Sequence, residues 1–468
     1  MAIILPANTL AAGGYTVDNS CRFNDADSSY MNFTQGTPTN NKKWTWSAWV
    51  KFARTGEQYF MASYVDANNN TSIRFLDATG RLDFQNYVSA GDAGRLKTTR
   101  NLRDPSAWYH IVCVFDSDNS TAGNRQQIWI NGVRETAFHT ETYPSSGAAS
   151  IINADTRVAE LGRRSDTSNM FDGYLAEAVF IDGQALTPTS FGEFDEDSPT
   201  IWKPKNVSGL TFGNNGYYCD FEDSADLGKD VSGESNNFTE VNLAATDQCT
   251  DTPTNNFPTW NPLIQQSSGF VLSEGNTTAD NTNDAWRSVY STFAPSVGKW
   301  YIECKIVNQL QTPRSIIGVC STAQASNSSA RLGYEGTNAY AYGSDGNKIN
   351  NGTNTSYGNT FATGDIISCA LDLDNGKIYF GKNGTWQNAG DPTSGATGTN
   401  SAFDVTLGEF YYFGSASYGN EGIISINSGS PSYANSSDAA DADGYGKFEY
   451  APPTGYFALC TKNLAEYG

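Results

Sequence analysis

Histidine is almost absent from this chain of 468 residues, which contains only His110 and His139. A histidine-rich metal site is therefore excluded, and a catalytic triad built on histidine would depend on one of these two residues. His110 lies in residues 108–115, where aromatic and aliphatic side chains form a pattern typical of a strand. We interpret His110 as a packed structural residue.

Basic residues and long apolar runs are scarce as well. The chain has 29 lysines and arginines against 50 aspartates and glutamates, so its formal net charge is −21. This charge repels phosphate backbones and anionic lipid, and we expect neither a nucleic-acid partner nor a membrane partner. No apolar run approaches the roughly 20 residues of a membrane span. The first apolar run ends at Pro6 with no basic segment before it, unlike a usual signal peptide.

None of the cysteines forms a CxxC pair, which disfavours a zinc site. Several lie within apolar runs and are predicted to be buried free thiols that pack like small hydrophobic side chains, namely Cys113, Cys304, Cys320 and Cys369. A chain of this length can bury enough surface to fold without disulfides. We expect a protein that folds in a reducing cytosol.

The residues that are abundant favour strands and tight turns. Charged residues make up only 17% of the chain, whereas aromatic residues make up 13% and glycine occurs 45 times. This composition is poor for long helices and suits strands joined by short turns. A dipeptide typical of a two-residue hairpin turn occurs at Asn131-Gly132, and tight hairpin turns are predicted at Asp374-Asn375-Gly376 and Lys382-Asn383-Gly384.

Strand-like segments recur at a spacing of roughly 8–12 residues, which is typical of β-sandwiches. No repeat of about 20–50 residues is present, so a solenoid or a propeller is disfavoured. We predict an all-β fold of two antiparallel β-sandwich (jelly-roll) domains in tandem. One short helix is predicted over residues 189–194, because Thr187-Pro188 offers a cap and a first helical residue.

A change in composition marks the boundary between the domains. Asn, Thr, Asp, Ser and Pro dominate residues 224–262 and do not favour regular structure. The predicted organisation is an N-terminal arm at residues 1–20, a first β-sandwich at 21–245, a linker at 246–265, and a second β-sandwich with a C-terminal extension at 266–468.

Sequence motifs link each half to a known family. Residues 128–133, Ile-Trp-Ile-Asn-Gly-Val, and residues 171–177, Phe-Asp-Gly-Tyr-Leu-Ala-Glu, resemble the laminin G-like, concanavalin A-like jelly roll. Residues 371–380, Leu-Asp-Leu-Asp-Asn-Gly-Lys-Ile-Tyr-Phe, are similar to the SPRY domain. The tandem order, with Asp-Thr-Pro-Thr-Asn-Asn-Phe at 251–257 between the halves, resembles structural proteins of tailed phages, especially marine ones.

Glycoside hydrolysis is the enzyme class to consider on a jelly roll, and it needs two facing acids. The nearest match to an acidic strand motif is Glu193-Phe-Asp195, which lacks the final acid and is interpreted as a solvated loop. Asp372 and Asp374 flank a predicted hairpin turn. The conformation of this turn accounts for aspartate at both positions without a catalytic role. We therefore expect a protein that is not an enzyme, and a polysaccharide-degrading enzyme remains an alternative.

No resident cofactor or metal is expected. The alternative is calcium, for which Asp116 and Asp118 are weak candidates because they place oxygen ligands at alternate positions. Aspartate and serine are also favoured there by the conformation of a turn.

A binding function requires fewer specifically placed side chains than catalysis does. A rigid scaffold with loops that carry amide, carboxylate and aromatic groups is sufficient. The loops at 163–169 and 321–334 and an exposed tryptophan supply the candidate ligand-binding residues Arg164, Asp166, Asn169, Tyr334 and Trp386. The tryptophans predicted to lie in the core are Trp44, Trp46, Trp108, Trp129 and Trp300.

The resemblance implies a phage virion structural protein, assembled in the host cytoplasm and exposed on the particle surface. We expect an adhesin of a tail fibre or spike that binds a host-surface glycan or receptor. Its further partners would be other virion proteins and copies of itself, with a trimer as the expected oligomer. The alternatives are a capsid-decorating (head fibre) protein and a cytosolic scaffold whose SPRY half holds a peptide.

Overall fold

The computed structural model describes residues 14–264, 269–311, 314–327, 330–419 and 422–468. These residues form two compact units that divide between Thr254 and Asn255. The division falls inside the segment 246–265 that the sequence marks as a linker. Residues 1–13 of the predicted N-terminal arm lie outside the described residues.

The first unit consists of short strands separated by polar turns. Its 3₁₀ turns are Ala122–Asn124, Pro188–Ser190 and Ala245–Asp247. Its strands in chain order are β1 (Ser20–Phe23), β2 (Tyr30–Thr34), β3 (Lys43–Phe52), β4 (Gln58–Asp66), β5 (Asn69–Phe75), β6 (Leu82–Val88), β7 (Gly91–Thr98), β8 (Tyr109–Asp116), β9 (Gln126–Ile130), β10 (Val133–Arg134), β11 (Phe138–Thr142), β12 (Val158–Leu161), β13 (Gly173–Asp182), β14 (Gly192–Phe194), β15 (Trp202–Pro204), β16 (Tyr217–Cys219), β17 (Thr239–Val241) and β18 (Gln248–Cys249).

Two antiparallel sheets face each other in the first unit. Sheet 1 has the order β10-β9-β8-β3-β13-β1-β18, with β16 beside β13, and sheet 2 has the order β11-β7-β6-β5-β4-β12-β2-β17. Trp44 of sheet 1 lies 5.4 Å from Phe84 of sheet 2, and Phe52 lies 5.1 Å from Phe75 between ring centres. The core is therefore the aromatic layer between the sheets. The face of sheet 2 that points away from sheet 1 does not contribute to this layer, and we call it the outer face of sheet 2.

The second unit repeats this architecture. Its helices are α1 (Thr322–Ala325) and α2 (Thr461–Tyr467), with 3₁₀ turns at Gln387–Ala389 and Pro392–Thr397. No helix within the described ranges has the length and apolar character needed to cross a bilayer. Its strands are β19 (Phe270–Ser273), β20 (Thr278–Asn281), β21 (Trp286–Tyr290), β22 (Lys299–Gln309), β23 (Ser315–Ser321), β24 (Ala339–Gly343), β25 (Asn347–Asn350), β26 (Thr353–Ser356), β27 (Ile366–Asp372), β28 (Lys377–Lys382), β29 (Thr385–Trp386), β30 (Phe403–Asp404), β31 (Tyr411–Tyr418), β32 (Gly422–Asn427) and β33 (Phe457–Ala458).

Sheet 3 has the order β19-β20-β32-β22-β27-β28-β29, with β30 beside β28 and β33 beside β22, and sheet 4 has the order β21-β31-β23-β24-β25-β26. Trp300 and Ile302 of sheet 3 share one core with Ile317 and Val319 of sheet 4. Both units are thus two-layer β-sandwiches, and the predicted all-β tandem is confirmed.

A buried carboxylate anchors the C-terminal segment of the second unit. Glu303 accepts hydrogen bonds from the Tyr301 hydroxyl (3.0 Å) and the Asn427 amide (3.2 Å), and from the backbone N–H groups of Glu449 (3.0 Å) and Tyr450 (2.8 Å). Burial raises the pKa of Glu303 to about 7, even though these donors favour its charged form.

The first and last segments of the second unit are joined directly. The Asn256 N–H donates to Thr461 Oγ1 (2.9 Å), and the Thr461 N–H donates to the Asn256 carbonyl oxygen (3.0 Å). The Lys462 N–H donates to Asn255 Oδ1 (3.2 Å). These bonds hold the start of α2 beside the first residues of the unit.

The hairpin turns follow the sequence pattern. Asn131 and Gly132 have φ values of +49° and +77°, and Asn383 and Gly384 have φ values of +48° and +76°. Two successive left-handed residues are what a two-residue turn between twisted strands requires. The turns at these two positions are confirmed.

Two local predictions are wrong. The helix predicted at 189–194 is a 3₁₀ turn followed by β14, because the backbone of Gly192–Phe194 pairs with β15 instead of continuing a helix. Trp129 is half-buried instead of lying in the core, since it points to the outer face of sheet 1 near an edge, 5.9 Å from the Arg134 guanidinium. The other predicted core tryptophans and the predicted thiols are buried.

Candidate functional site

Cross-strand rows of polar and aromatic side chains cover the outer face of sheet 2. Ile73 and Phe75 of β5 face the core, so Arg74 between them points to the other side of the sheet. The strand register places Arg74 directly between Tyr59 of β4 and Asp83 of β6. Neighbouring side chains on this face are therefore close enough to interact across the strands.

Arg74 is the centre of a hydrogen-bond network on this face. Its guanidinium donates to the Tyr59 hydroxyl (2.7 Å), Gln85 Oε1 (2.9 Å) and Asp83 Oδ2 (3.1 Å). Asp83 is fully buried and also accepts from Arg95 Nε (2.9 Å), so one carboxylate joins two guanidinium groups. Burial raises the pKa of Tyr59 to about 12, and its hydroxyl remains a donor at neutral pH.

The predicted binding loop at 163–169 lies against this network. The Arg164 guanidinium is 4.8 Å from the centre of the Tyr59 ring and 5.7 Å from the centre of the Tyr64 ring. Its Nε donates to Asp166 Oδ1 (2.6 Å), and Asp166 is exposed. A cation held over two aromatic rings fixes the loop to the sheet.

Asn169 reaches the same face from the end of that loop. Its amide donates to Glu57 Oε2 (3.0 Å), and Glu57 forms an ion pair with Arg74 (3.4 Å). The structure therefore brings Arg164, Asp166 and Asn169 together beside the network on sheet 2.

The border of the face carries two half-buried tyrosine rings on either side of a buried amide. Asn70 pairs across the strands with Tyr64 on one side and Tyr87 on the other, and both tyrosines are half-buried. Half-buried tyrosine rings can contact the apolar face of a sugar, and their hydroxyl groups can hydrogen-bond its hydroxyl groups. Arg164 lies 5.7 Å from the Tyr64 ring centre and donates to Asn70 Oδ1 (3.4 Å), so the loop holds this border in place.

The remaining predicted ligand residues lie in the second unit, on two different sheets. Tyr334 packs against the outer face of sheet 4, and its hydroxyl donates to Asn354 Oδ1 (3.1 Å). Trp386 is half-buried in β29 on sheet 3, with its ring centre 6.5 Å from that of Tyr301. These two residues are not part of the face formed by sheet 2.

A serine and a histidine lie together in sheet 1, but in an arrangement that opposes catalysis. His110 is buried, as predicted, and its Nε2 is 2.8 Å from Ser47 Oγ. The Trp202 indole N–H donates to His110 Nδ1 (2.9 Å), so Nε2 carries the imidazole proton and donates it to the serine. Burial lowers the pKa of His110 to about 3, and this ring is a poor base for Ser47.

The acids singled out in the sequence have local partners. Glu193 and Asp195 lie 3.7 Å and 3.2 Å from Lys203 Nζ, and Asp195 accepts backbone N–H groups of its own turn. Asp116 lies 3.5 Å from Lys43 Nζ, and Asp118 is exposed. Across the described ranges, no group of three or more histidine, cysteine or acidic side chains is arranged to hold a metal ion.

Sequence reasoning missed most of the outer face of sheet 2. The alternation in β5 and β6 was the available signal, because polar residues occupy every second position between core residues. The residues that this signal identifies are Asn70, Ser72, Arg74, Asp83, Gln85 and Tyr87.

Comparison with known proteins supports the two folds. The model of the concanavalin A-like lectin/glucanases superfamily matches residues 25–190, and the SPRY domain model matches residues 299–425. Ran-binding protein 9 of Danio rerio is 35% identical over 89 residues, which are 19% of this chain and 14% of the relative. Ran-binding protein 9 of Homo sapiens is 36% identical over 89 residues, 19% of this chain and 12% of the relative. The chain thus spans a small part of the length of the curated relatives it matches.

The solved structures that match part of the chain include the SPRY domain of human HERC1, at 19% identity and a TM-score of 0.29, covering 36% of this chain and 96% of that chain. A putative carbohydrate binding protein from Bacteroides ovatus has 14% identity and a TM-score of 0.32, covering 49% of this chain and 61% of that chain. With the family matches and the two observed sandwiches, the chain contains a concanavalin A-like, laminin G-like domain followed by a SPRY domain.

Proposed function

We propose that this protein binds a glycan through the outer face of sheet 2 and does not cleave it. The observation that carries the proposal is the ordered network of Arg74, Asp83 and Arg95 on the same face of sheet 2 as the half-buried rings of Tyr64 and Tyr87. Such a face offers the half-buried tyrosine rings and the polar groups of the loop at 163–169, held by a rigid sheet, to a ligand rich in hydroxyl groups.

We further propose that the protein acts as an adhesin in the tail fibre or spike of a phage, with a host-surface glycan as its ligand. The tandem order of the two domains and the segment between them support this role through their resemblance to tailed-phage structural proteins. Weak contacts of a single shallow face become useful when several copies act together, so a homo-oligomer, with a trimer as the first expectation, belongs to the proposal.

A glycan array probed with the full chain tests the binding role. The Tyr64→Ala and Tyr87→Ala variants should weaken binding to the selected glycan by about fivefold each, because an aromatic contact is lost. Phe194→Ala is the matched control, since Phe194 is an exposed aromatic residue on β14, outside sheet 2. Equal binding by all three variants, or release of reducing ends from the glycan, contradicts the proposal.

Localisation of the chain in purified particles tests the adhesin role. Labelled antibody should mark the tail fibre or spike in electron micrographs, with a stoichiometry that gives the number of copies. Label on the shell would instead identify a capsid-decorating protein.

A further inference from the structure

The basic side chains on the outer face of sheet 2 all have carboxylate partners. The strands of sheet 2 and the loop at 163–169 contain five lysines and arginines. Arg74 and Arg95 lie 3.1 Å and 2.9 Å from the two oxygens of Asp83. The other three pairs are Lys97 with Asp77 (2.6 Å), Arg163 with Glu160 (2.7 Å) and Arg164 with Asp166 (2.6 Å). Among the described residues of these strands and this loop, an incoming anion therefore meets no cation without a carboxylate beside it.

The more exposed members of these ion pairs are mostly carboxylates. Two further acids join the network, since Glu57 lies 3.4 Å from Arg74 and Asp92 lies 3.6 Å from Arg95. The basic side chains Arg74, Arg95, Lys97 and Arg164 are 7–19% exposed, whereas their partners Glu57, Asp92, Asp77 and Asp166 are 26–35% exposed. At four of the five basic residues, the charge that a ligand meets first is therefore negative.

Arg163 is the exception, because its partner Glu160 is buried. The Arg163 guanidinium carbon lies 3.4 Å from the centre of the Tyr30 ring, so the ring covers one face of this cation. Its Nε donates to Glu160 Oε1 (2.7 Å). Arg163 is therefore held by a ring and a carboxylate at the same time.

Asp166 occupies the edge of Arg164 that a ligand carboxylate would use. Arg164 Nε donates to Asp166 Oδ1 (2.6 Å), and Arg164 Nη2 donates to Asp166 Oδ2 (3.2 Å). Two such bonds from one guanidinium to one carboxylate are the paired arrangement in which arginine recognises carboxylates. Arg164 Nη1 donates to Asn70 Oδ1 (3.4 Å). Asp166 thus takes the place of an acidic ligand on the only loop that borders Tyr64 through a cation.

We propose that the glycan bound by the outer face of sheet 2 is an uncharged saccharide, and that Asp166 excludes carboxylated and sulfated saccharides. This inference rests on the proposed glycan-binding function and names the ligand class of that same site. Specificity of this kind comes from groups that oppose the wrong ligand as well as from groups that favour the right one.

An acidic saccharide meets two obstacles on this face. It has to displace a carboxylate from its cation, or its own anion stays unpaired beside the exposed carboxylates. The net charge of −21 adds a long-range repulsion. A neutral saccharide meets neither obstacle, because its hydroxyl groups can donate to the exposed carboxylates, which are acceptors only.

An array of neutral, carboxylated and sulfated glycans, probed with the full chain and with Tyr64→Ala, tests the ligand class. The glycans whose binding depends on Tyr64 should be neutral. Carboxylated or sulfated glycans among them would overturn the inference and leave the glycan-binding function standing. If no glycan of any class shows binding that depends on Tyr64, the glycan-binding function itself is wrong, and the inference falls with it.

Titration calorimetry tests the role of Asp166 with two matched probes. They are a neutral hexose oligosaccharide selected on the array and the same oligosaccharide after oxidation of its primary hydroxyl groups to carboxylates. The parent protein should bind the oxidised form about tenfold more weakly, and the difference should shrink as salt rises. Asp166→Asn should raise the affinity for the oxidised form by about tenfold, since Arg164 can then pair with the ligand carboxylate.

Asp223→Asn is the matched control for the change in charge. Asp223 pairs with Lys229 (3.2 Å) in the exposed segment between β16 and β17, so its loss should leave the ratio of the two affinities as in the parent. A misfolded protein cannot gain affinity, so the gain expected for Asp166→Asn separates ligand selection from folding. Equal affinity of the Asp166→Asn and Asp223→Asn variants for the oxidised form overturns the role of Asp166.

Discussion

Asp251 provides a stringent test of how the first unit is held together. Its Oδ2 is 2.6 Å from Lys51 Nζ, and both side chains are 1% exposed. The Trp108 indole N–H donates to Asp251 Oδ1 (3.0 Å). Asp251→Asn keeps the shape and an oxygen for Trp108 but removes the Asp251 negative charge from beside the buried Lys51 ammonium.

Loss of one partner of a buried ion pair costs about 3–5 kcal/mol. One kcal/mol corresponds to about 2–4 °C in Tm for a domain of this size, so the first unit of the Asp251→Asn variant should melt about 6–20 °C lower. Asp251 lies in the segment 246–265 that the sequence marks as a linker, so the same experiment measures whether this segment is structural.

Calorimetry and urea unfolding of the full chain provide the measurement. The matched control is Asp223→Asn, because Asp223 and Lys229 form an exposed pair at 3.2 Å whose loss should leave the stability almost unchanged. The double variant Lys51→Met, Asp251→Asn should recover part of the lost stability, since no ammonium is left buried. If Asp251→Asn costs no more than Asp223→Asn, the reasoning is refuted.

Two further predictions concern pH. Burial raises the pKa of Glu303 from 4.5 to about 7, so the folded form holds a proton that the unfolded form releases, and the stability of the second unit should fall as pH rises from 4.5 through 7. In urea titrations, Glu303→Gln should make the free energy of unfolding depend less steeply on pH. An unchanged pH dependence would contradict the prediction. Burial lowers the pKa of His110 from 6.5 to about 3, so the first unit should lose stability as pH falls from 6.5 towards 3. Nitrogen NMR should show His110 neutral, with its proton on Nε2, at pH 5; a charged ring there would contradict the structure.

Local sequence patterns predicted the strands and turns well, because strands and tight turns depend on residues that are neighbours in the chain. Asn131-Gly132 specifies its turn through backbone conformations that few other dipeptides adopt. Most aromatic residues in apolar runs are buried, since large rings gain most from leaving water. These features need no knowledge of which strands pair.

The candidate site on sheet 2 depends on pairing that no single strand contains. Arg74 contacts Asp83 and Tyr59 only because the register of β4, β5 and β6 places them in one row. The loop residues Arg164, Asp166 and Asn169 were predicted from composition, but their contact with that row required the fold. Trp129 shows the same limit, because its exposure follows from the position of β9 near an edge.

The bonds between Asn256 and Thr461 have a practical consequence for protein engineering. Because Asn256, near the start of the second unit, is hydrogen-bonded to Thr461, the first residue of its last helix, the unit has the geometry of a cassette whose first and last segments are adjacent. Such a cassette can be grafted into a surface loop of an unrelated carrier with little distortion of either protein.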